Sequence, residues 1–91
     1  MEKSAVHLIV RGRVQGVCFR ASTREKGFEL GLAGWVKNCS DSSVEIHAEG
    51  NTSDLENFIA WCKHGPDTAS VTSLDIDWVK PESMTTFDIR Y

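Results

Sequence analysis

Apolar and polar residues alternate from the start of the chain. Val6, Leu8 and Val10 fall on one side and His7, Ile9 and Arg11 on the other, which predicts a strand over about residues 5–12 with one firmly apolar face. The stretch from Gly12 to Gly16 interrupts it. From Phe19 to Leu30 the period lengthens to that of a helix, with Phe19, Thr23, Gly27 and Leu30 on one face and Gly31 as a stop signal. Gly27 inside that span costs a helix about 1 kcal/mol relative to alanine. Residues 33–39 read as a second strand, and Val44, Ile46 and Ala48 alternate with Glu45, His47 and Glu49 in a third, half-buried one. Ser40-Asp41-Ser42-Ser43 between them has the composition of a hairpin turn. Ser53-x-x-Glu56 reads as a capping box, followed by Leu55, Phe58, Ile59 and Cys62 at helical spacing, so a second amphipathic helix ends before Gly65-Pro66. Leu74, Ile76 and Trp78 alternate with Asp75 and Asp77 in a fourth strand. Phe87, Ile89 and Tyr91 alternate with Asp88 and Arg90 in a short fifth, and Pro81 lies in the link.

The predicted order is β-α-β-β-α-β plus a terminal strand. It fits an α+β, ferredoxin-like split βαβ sandwich in which both helices lie on one face of an antiparallel sheet. A length of 91 residues predicts one domain over 1–91, with at most one site carried on loops of a compact scaffold. A hydrophobic content of 41% beside 25% charged residues is that of an ordinary folded protein. The apolar run from Ala5 to Val10 is too short for a membrane span or a signal segment, so a cytoplasmic protein without a membrane partner is expected. Cys18, Cys39 and Cys62 are odd in number and form no C-x-x-C pair, which argues for reduced thiols rather than disulfides or zinc.

Charge changes the picture further. The net charge of −3 disfavours a nucleic-acid partner. Yet residues 1–40 hold seven bases against three acids, and residues 41–91 hold three against ten. Lys3, Arg11, Arg13, Arg20 and Arg24 follow one another with no acid among them, a local positive field suited to a small anion. By itself such a run is more often a solvated basic face.

The loop Gly12-Arg13-Val14-Gln15-Gly16-Val17-Cys18-Phe19-Arg20 joins a strand to a helix start, where unpaired N–H groups and the positive dipole end favour an anion. Arg20 in the first helical turn opposes that dipole, and a bound dianion would offset both. The spacing fits neither G-x-G-x-x-G nor G-x-x-x-x-G-K-[ST]. The residues alone leave an anion site and a plain connection about equally open.

Gly12-x-Val14-Gln15-Gly16-Val17-x-Phe19-Arg20, followed by Gly34-Trp35-Val36-x-Asn38, resembles the acylphosphatase family. The resemblance runs on through Ser43-Val44-Glu45 to Phe87-x-Ile89-Arg90-Tyr91 and covers nearly the whole chain. It implies hydrolysis of the carboxyl-phosphate bond of an acyl phosphate to a carboxylate and inorganic phosphate, with no metal and no cofactor. Arg20 is then similar to the phosphate-binding arginine and Asn38 to the residue that orients the attacking water. The backbone of Gln15, Gly16, Val17, Cys18, Phe19 and Arg20 would form the phosphate cradle. One departure is Asp41-Ser42, where relatives often carry Asp-Gly, and a serine there is uncomfortable if the turn needs a positive φ.

The chain offers no acid/base carboxylate pair or His-carboxylate dyad that can be placed near the loop, because its acids fall mostly on outward strand positions and helix faces. An acyl phosphate suits so sparse a site, since the departing carboxylate needs no proton. Two other readings compete. Cys18-x-x-x-x-x-Arg24 matches the Cys-x5-Arg loop of thiol phosphatases, a coincidence of offset that chance produces easily. A small anion-sensing module could use the same cradle without turnover. His7, His47 and His64 lie on separate elements and are expected to pack or to face solvent. Trp35, Trp61 and Trp78 are expected as core or half-buried packing residues, and a monomer is the default.

Overall fold

The computed structural model describes residues 3–90. Tyr91, assigned above to the terminal strand, lies outside the described residues. The elements are β1 (Lys3–Arg13), α1 (Phe19–Glu29), β2 (Ala33–Asn38), β3 (Val44–Asn51), α2 (Thr52–Cys62), β4 (Ser70–Val79) and β5 (Phe87–Arg90). They form one five-stranded sheet in the order β4-β1-β3-β2-β5.

The first four strands of that order pair antiparallel, as predicted, whereas β5 runs parallel to β2 from Gly34↔Phe87 to Lys37↔Arg90. The sheet is therefore mixed at one edge. A strand that follows β4 by a hairpin would have to sit beside β4; here residues 80–86 carry the chain to the far edge, and β5 arrives in the direction of β2.

The alternation in β1 and β3 buries Val6, Leu8, Val10, Val44, Ile46 and Ala48 on one face, against Phe19 of α1 and Leu55, Phe58, Ile59 and Cys62 of α2. Each Val, Leu, Ile or Phe among them contributes about 1.5–3 kcal/mol when withdrawn from water. Burial also pushes the Cys62 thiol pKa well above its usual range. Gly27 is an asset in this packing, because a Cβ there would stand 2.5 Å from the Phe87 ring. What weakens α1 locally lets β5 close against it.

Three expectations need correction. α2 begins at Thr52 with Asn51 as its N-cap and no side-chain cap bond, so Ser53 and Glu56 are exposed helical residues rather than a capping box. The chain passes from β3 into α2 without a loop, which moves the boundary ahead of the serine. Trp78 is 51% exposed and Ile76 39%, because β4 is an outer strand and α2 packs over β1 and β3. Trp35 and Trp61 are half-buried as expected.

The third correction concerns β3, expected to be half-buried; the histidines themselves lie on separate elements and pack or face solvent as expected. His7 and His47 are cross-strand partners, and the face away from the helices carries two pairs, His7 Nε2 to Glu45 Oε2 at 2.6 Å and His47 Nε2 to Glu49 Oε2 at 2.7 Å. Glu49 is only 2% exposed. Burial alone would raise its pKa, but hydrogen bonds from His47 and from the N–H groups of Glu82 and Met84 outweigh that, and the carboxyl sits below its usual range. The pairing was invisible to a periodicity argument because the covering segment, residues 80–86, is remote in sequence.

Gly34 shows how closely β2 and β3 approach. Its φ is 155°, and a Cβ built there would stand 1.9 Å from the carbonyl oxygen of His47. Gly34→Ala is expected to destabilise the fold by about 1–3 kcal/mol or more, as overpacking against backbone does, seen as a lower denaturation midpoint with an unchanged m-value.

Candidate active site

The β1–α1 loop is pinned at both ends by apolar side chains, since Val14 and Phe19 are both buried. Between them the backbone turns left-handed twice, at Gly16 (φ 73°) and at Cys18 (φ 62°). Gly16 adopts that conformation at no steric cost, whereas Cys18 is held in it by its surroundings. Alternating handedness of this kind turns successive N–H groups toward one side, making a concavity for an anion. Among the described residues, the N–H groups of Gly16, Val17 and Cys18 donate to no backbone carbonyl. Cys18 is also the N-cap of α1 and supplies no side-chain cap, and the first turn carries no acid. The positive end of α1 therefore faces the loop uncompensated.

Two braces hold the loop from outside. The Thr68 hydroxyl donates to the Val17 carbonyl at 2.8 Å. The Gln15 side-chain amide donates to the carbonyls of Cys39 and Ser43, both at 2.8 Å, and so ties the loop to the β2–β3 hairpin.

That hairpin carries Asn38, the last residue of β2. Its turn closes with Ser42 N–H to Cys39 O at 3.2 Å and Cys39 N–H to Ser43 O at 2.8 Å, and Ser42 has a φ of 74°. Position 42, where the family resemblance leads one to expect glycine, is thus left-handed. Asp41 offsets part of the cost: its Oδ1 accepts from the Ser43 hydroxyl at 2.5 Å and from the Ser43 N–H at 3.0 Å, which hold the carboxyl pKa below its usual range.

A pocket of about 240 Å³ opens between these elements, lined by Val14, Gly16, Cys18, Phe19, Arg20, Ala21, Asn38 and Ile89. Asn38 lines this pocket, and its Oδ1 atom is buried with no hydrogen-bond partner among the described residues. An orphaned buried acceptor costs about 1–3 kcal/mol and is normally met by water or a ligand. Arg20 enters the pocket from the first turn of α1, and its Nη1 donates to the carbonyl of Arg90 at 3.3 Å.

Of the residues expected at a phosphate site, the fold brings Gly16, Cys18, Phe19, Arg20 and Asn38 together around one pocket. Gln15 and Val17 stand behind it, Gln15 as a brace and Val17 beside the adjoining cleft of Arg13, Asp67 and Thr68. Ile89 and Thr68 were missed. Ile89 was legible only as a strand position, and nothing local to Thr68 points toward Val17. Arg24 lies outside the pocket, with Nε on the Phe87 carbonyl at 3.0 Å and its guanidinium 5.1 Å over the Phe28 ring, so the Cys-x5-Arg reading lacks its arginine. Among the described residues no group of three His, Cys, Asp or Glu side chains is placed to hold a metal ion, and no helix is long and apolar enough to cross a membrane.

The family model for acylphosphatase matches residues 6–89. The acylphosphatase of Methylococcus capsulatus is 52% identical over 71 residues, 78% of this chain and 77% of that one. The acylphosphatase of Haloarcula marismortui is 38% identical over 91 residues, the full length of both chains. The crystal structure of acylphosphatase from Bacillus subtilis superposes with a TM-score of 0.94 at 38% identity, covering 97% of this chain and 99% of that one.

Replacing the strained serine is the direct check on the hairpin. Ser42→Gly is expected to stabilise the protein by about 0.5–1 kcal/mol, the left-handed penalty less glycine's extra unfolded-state entropy. A thermal or chemical denaturation midpoint that does not rise would contradict the assigned turn geometry.

Proposed function

Because this chain belongs to the acylphosphatase family and is an acylphosphatase, we propose that its phosphoryl site is the pocket between the β1–α1 loop and the end of β2. In this reading the N–H groups of the Gln15–Arg20 backbone and the Arg20 guanidinium hold the phosphoryl oxygens, and Asn38 aligns the attacking water. The observation that carries it is that Asn38 and Arg20 line one pocket together with the left-handed loop residues Gly16 and Cys18.

The chemistry asks little of the protein. Water attacks phosphorus as the bond from phosphorus to the acyl oxygen breaks, and the carboxylate departs as an anion with a pKa of about 4–5. One proton of the water goes to a phosphate oxygen, so no side chain need act as acid or base. Fixed N–H dipoles and a guanidinium aimed at the equatorial oxygens stabilise the transition state without reorganising. The remaining contribution is orientation: the Asn38 side-chain amide hydrogen-bonds the water and keeps its lone pair in line with the leaving group.

Arg20→Lys is expected to lose about 10²-fold or more in kcat/KM with acetyl phosphate and to weaken inhibition by inorganic phosphate, since an ammonium cannot copy the bidentate fork. Steady-state kinetics that match the parent would overturn the assignment. Asn38→Ala is expected to lower kcat about 10²-fold while the inhibition constant of inorganic phosphate stays near its original value. Loss of phosphate binding instead would make Asn38 an anchor rather than a water-positioning residue.

A further inference from the structure

Glu49 is a buried carboxylate that the mechanism above does not use. It accepts hydrogen bonds from His47 Nε2 at 2.7 Å, from the Met84 N–H at 3.0 Å and from the Glu82 N–H. The two backbone donors flank Ser83, which has a φ of 60°. They belong to the 80–86 segment, which must cross β1, β3 and β2 to reach the far edge of the sheet. Four strand spacings make that crossing about 19 Å, and the chain from Val79 to Phe87 reaches about 26–29 Å when fully extended. Glu49 catches this strap midway, on the central strand, between the small cross-strand neighbours Ala5 and Ala33 that leave room for it.

What lies beyond the strap is the wall of the active site. Thr86 O accepts from the Gly34 N–H at 2.8 Å, Ile89 lines the pocket, and Arg90 O receives Arg20 Nη1. A second route runs through side chains. His47 stacks on Trp35 with centroids 6.1 Å apart and planes at 17°, and the Arg90 guanidinium lies 4.7 Å over the Trp35 ring. Both routes end at Arg90, the residue whose carbonyl holds Arg20.

We propose that Glu49 is a positioning residue for phosphate binding: its carboxylate clasps the β4–β5 strap and, through the strap and the His47, Trp35 and Arg90 stack, sets where β5 holds Arg20. The strained turn at Ser83 is retained because the carboxylate binds the N–H groups on either side of it. The inference rests on Arg20 being the phosphate ligand. Spatial continuity is not coupling, so the test must measure coupling.

The experiment is a double-mutant cycle on the full chain, reading the competitive inhibition constant of inorganic phosphate and the kinetics of acetyl phosphate. Glu49→Gln is expected to raise the inhibition constant and KM together about three- to tenfold, with a smaller fall in kcat. In the Arg20→Lys background the same substitution should change the inhibition constant by less than about twofold, because the group it positions is already lost. Glu49→Asp, which keeps the charge but reaches less far, should shift both constants in the same direction by less and serves if Glu49→Gln does not fold. Variants that melt at lower temperature but bind phosphate like the parent would overturn the proposal, as would equal effects in both backgrounds. An unchanged inhibition constant in Arg20→Lys alone would instead overturn the role of Arg20 and remove the clasp's target.

Discussion

The proposed phosphate site depends on one electrostatic arrangement: backbone N–H groups turned inward by left-handed residues, at the positive end of a helix whose first turn carries an arginine and no acid. The charge of an arginine in that turn opposes the helix dipole and the inward N–H groups. Such an arrangement survives only if the surrounding fold over-determines it. Val14 and Phe19 anchor the loop in the core, Thr68 and Gln15 grip it from outside, and the carbonyl of Arg90 receives the arginine. In the proposed mechanism the loop's polar groups are thus oriented before substrate arrives, which is where a site without acid or base catalysis must find its rate.

That constraint explains how the hairpin tolerates a serine where glycine would be easier. The turn must end β2 so that Asn38 faces the loop, and Gln15 fixes the separation by bonding to carbonyls on both sides of the turn. Given that tie, a left-handed residue at position 42 is a local cost, partly offset by the bonds from Ser43 to Asp41. Precision at Asn38 outranks local comfort.

Much of this was legible in the sequence, and the reason is range. Period-two and helical patterns identified every element, because β1, β3 and α2 each bury one regular face against the same core. The loop was legible through a conflict, an arginine where the helix dipole disfavours one, and the strain at Ser42 through the absence of glycine. What escaped involves partners far apart along the chain. The parallel pairing of β5, the exposure of Trp78 on an outer strand and the burial of Glu49 all follow from where residues 70–90 cross or flank the sheet. Composition and periodicity describe which face of a strand is apolar; they do not say what covers the other.

The second face matters because the helices cover only one. An antiparallel sheet can leave its other side to water, but here a single segment must cross that side to bring β5 beside β2. An extended segment crossing exposed strand positions has few apolar contacts of its own, so a polar catch is the economical way to hold it. A carboxylate can satisfy several N–H donors at once, and burial makes those bonds strong only while all of them are made. The same logic governs the proposed phosphate loop with the signs exchanged. In one place the protein supplies the anion and the strap brings the N–H groups; in the other the loop supplies the N–H groups and substrate brings the anion. Because β5 lies between the two, the order of the substrate site is inherited from the order of the internal one.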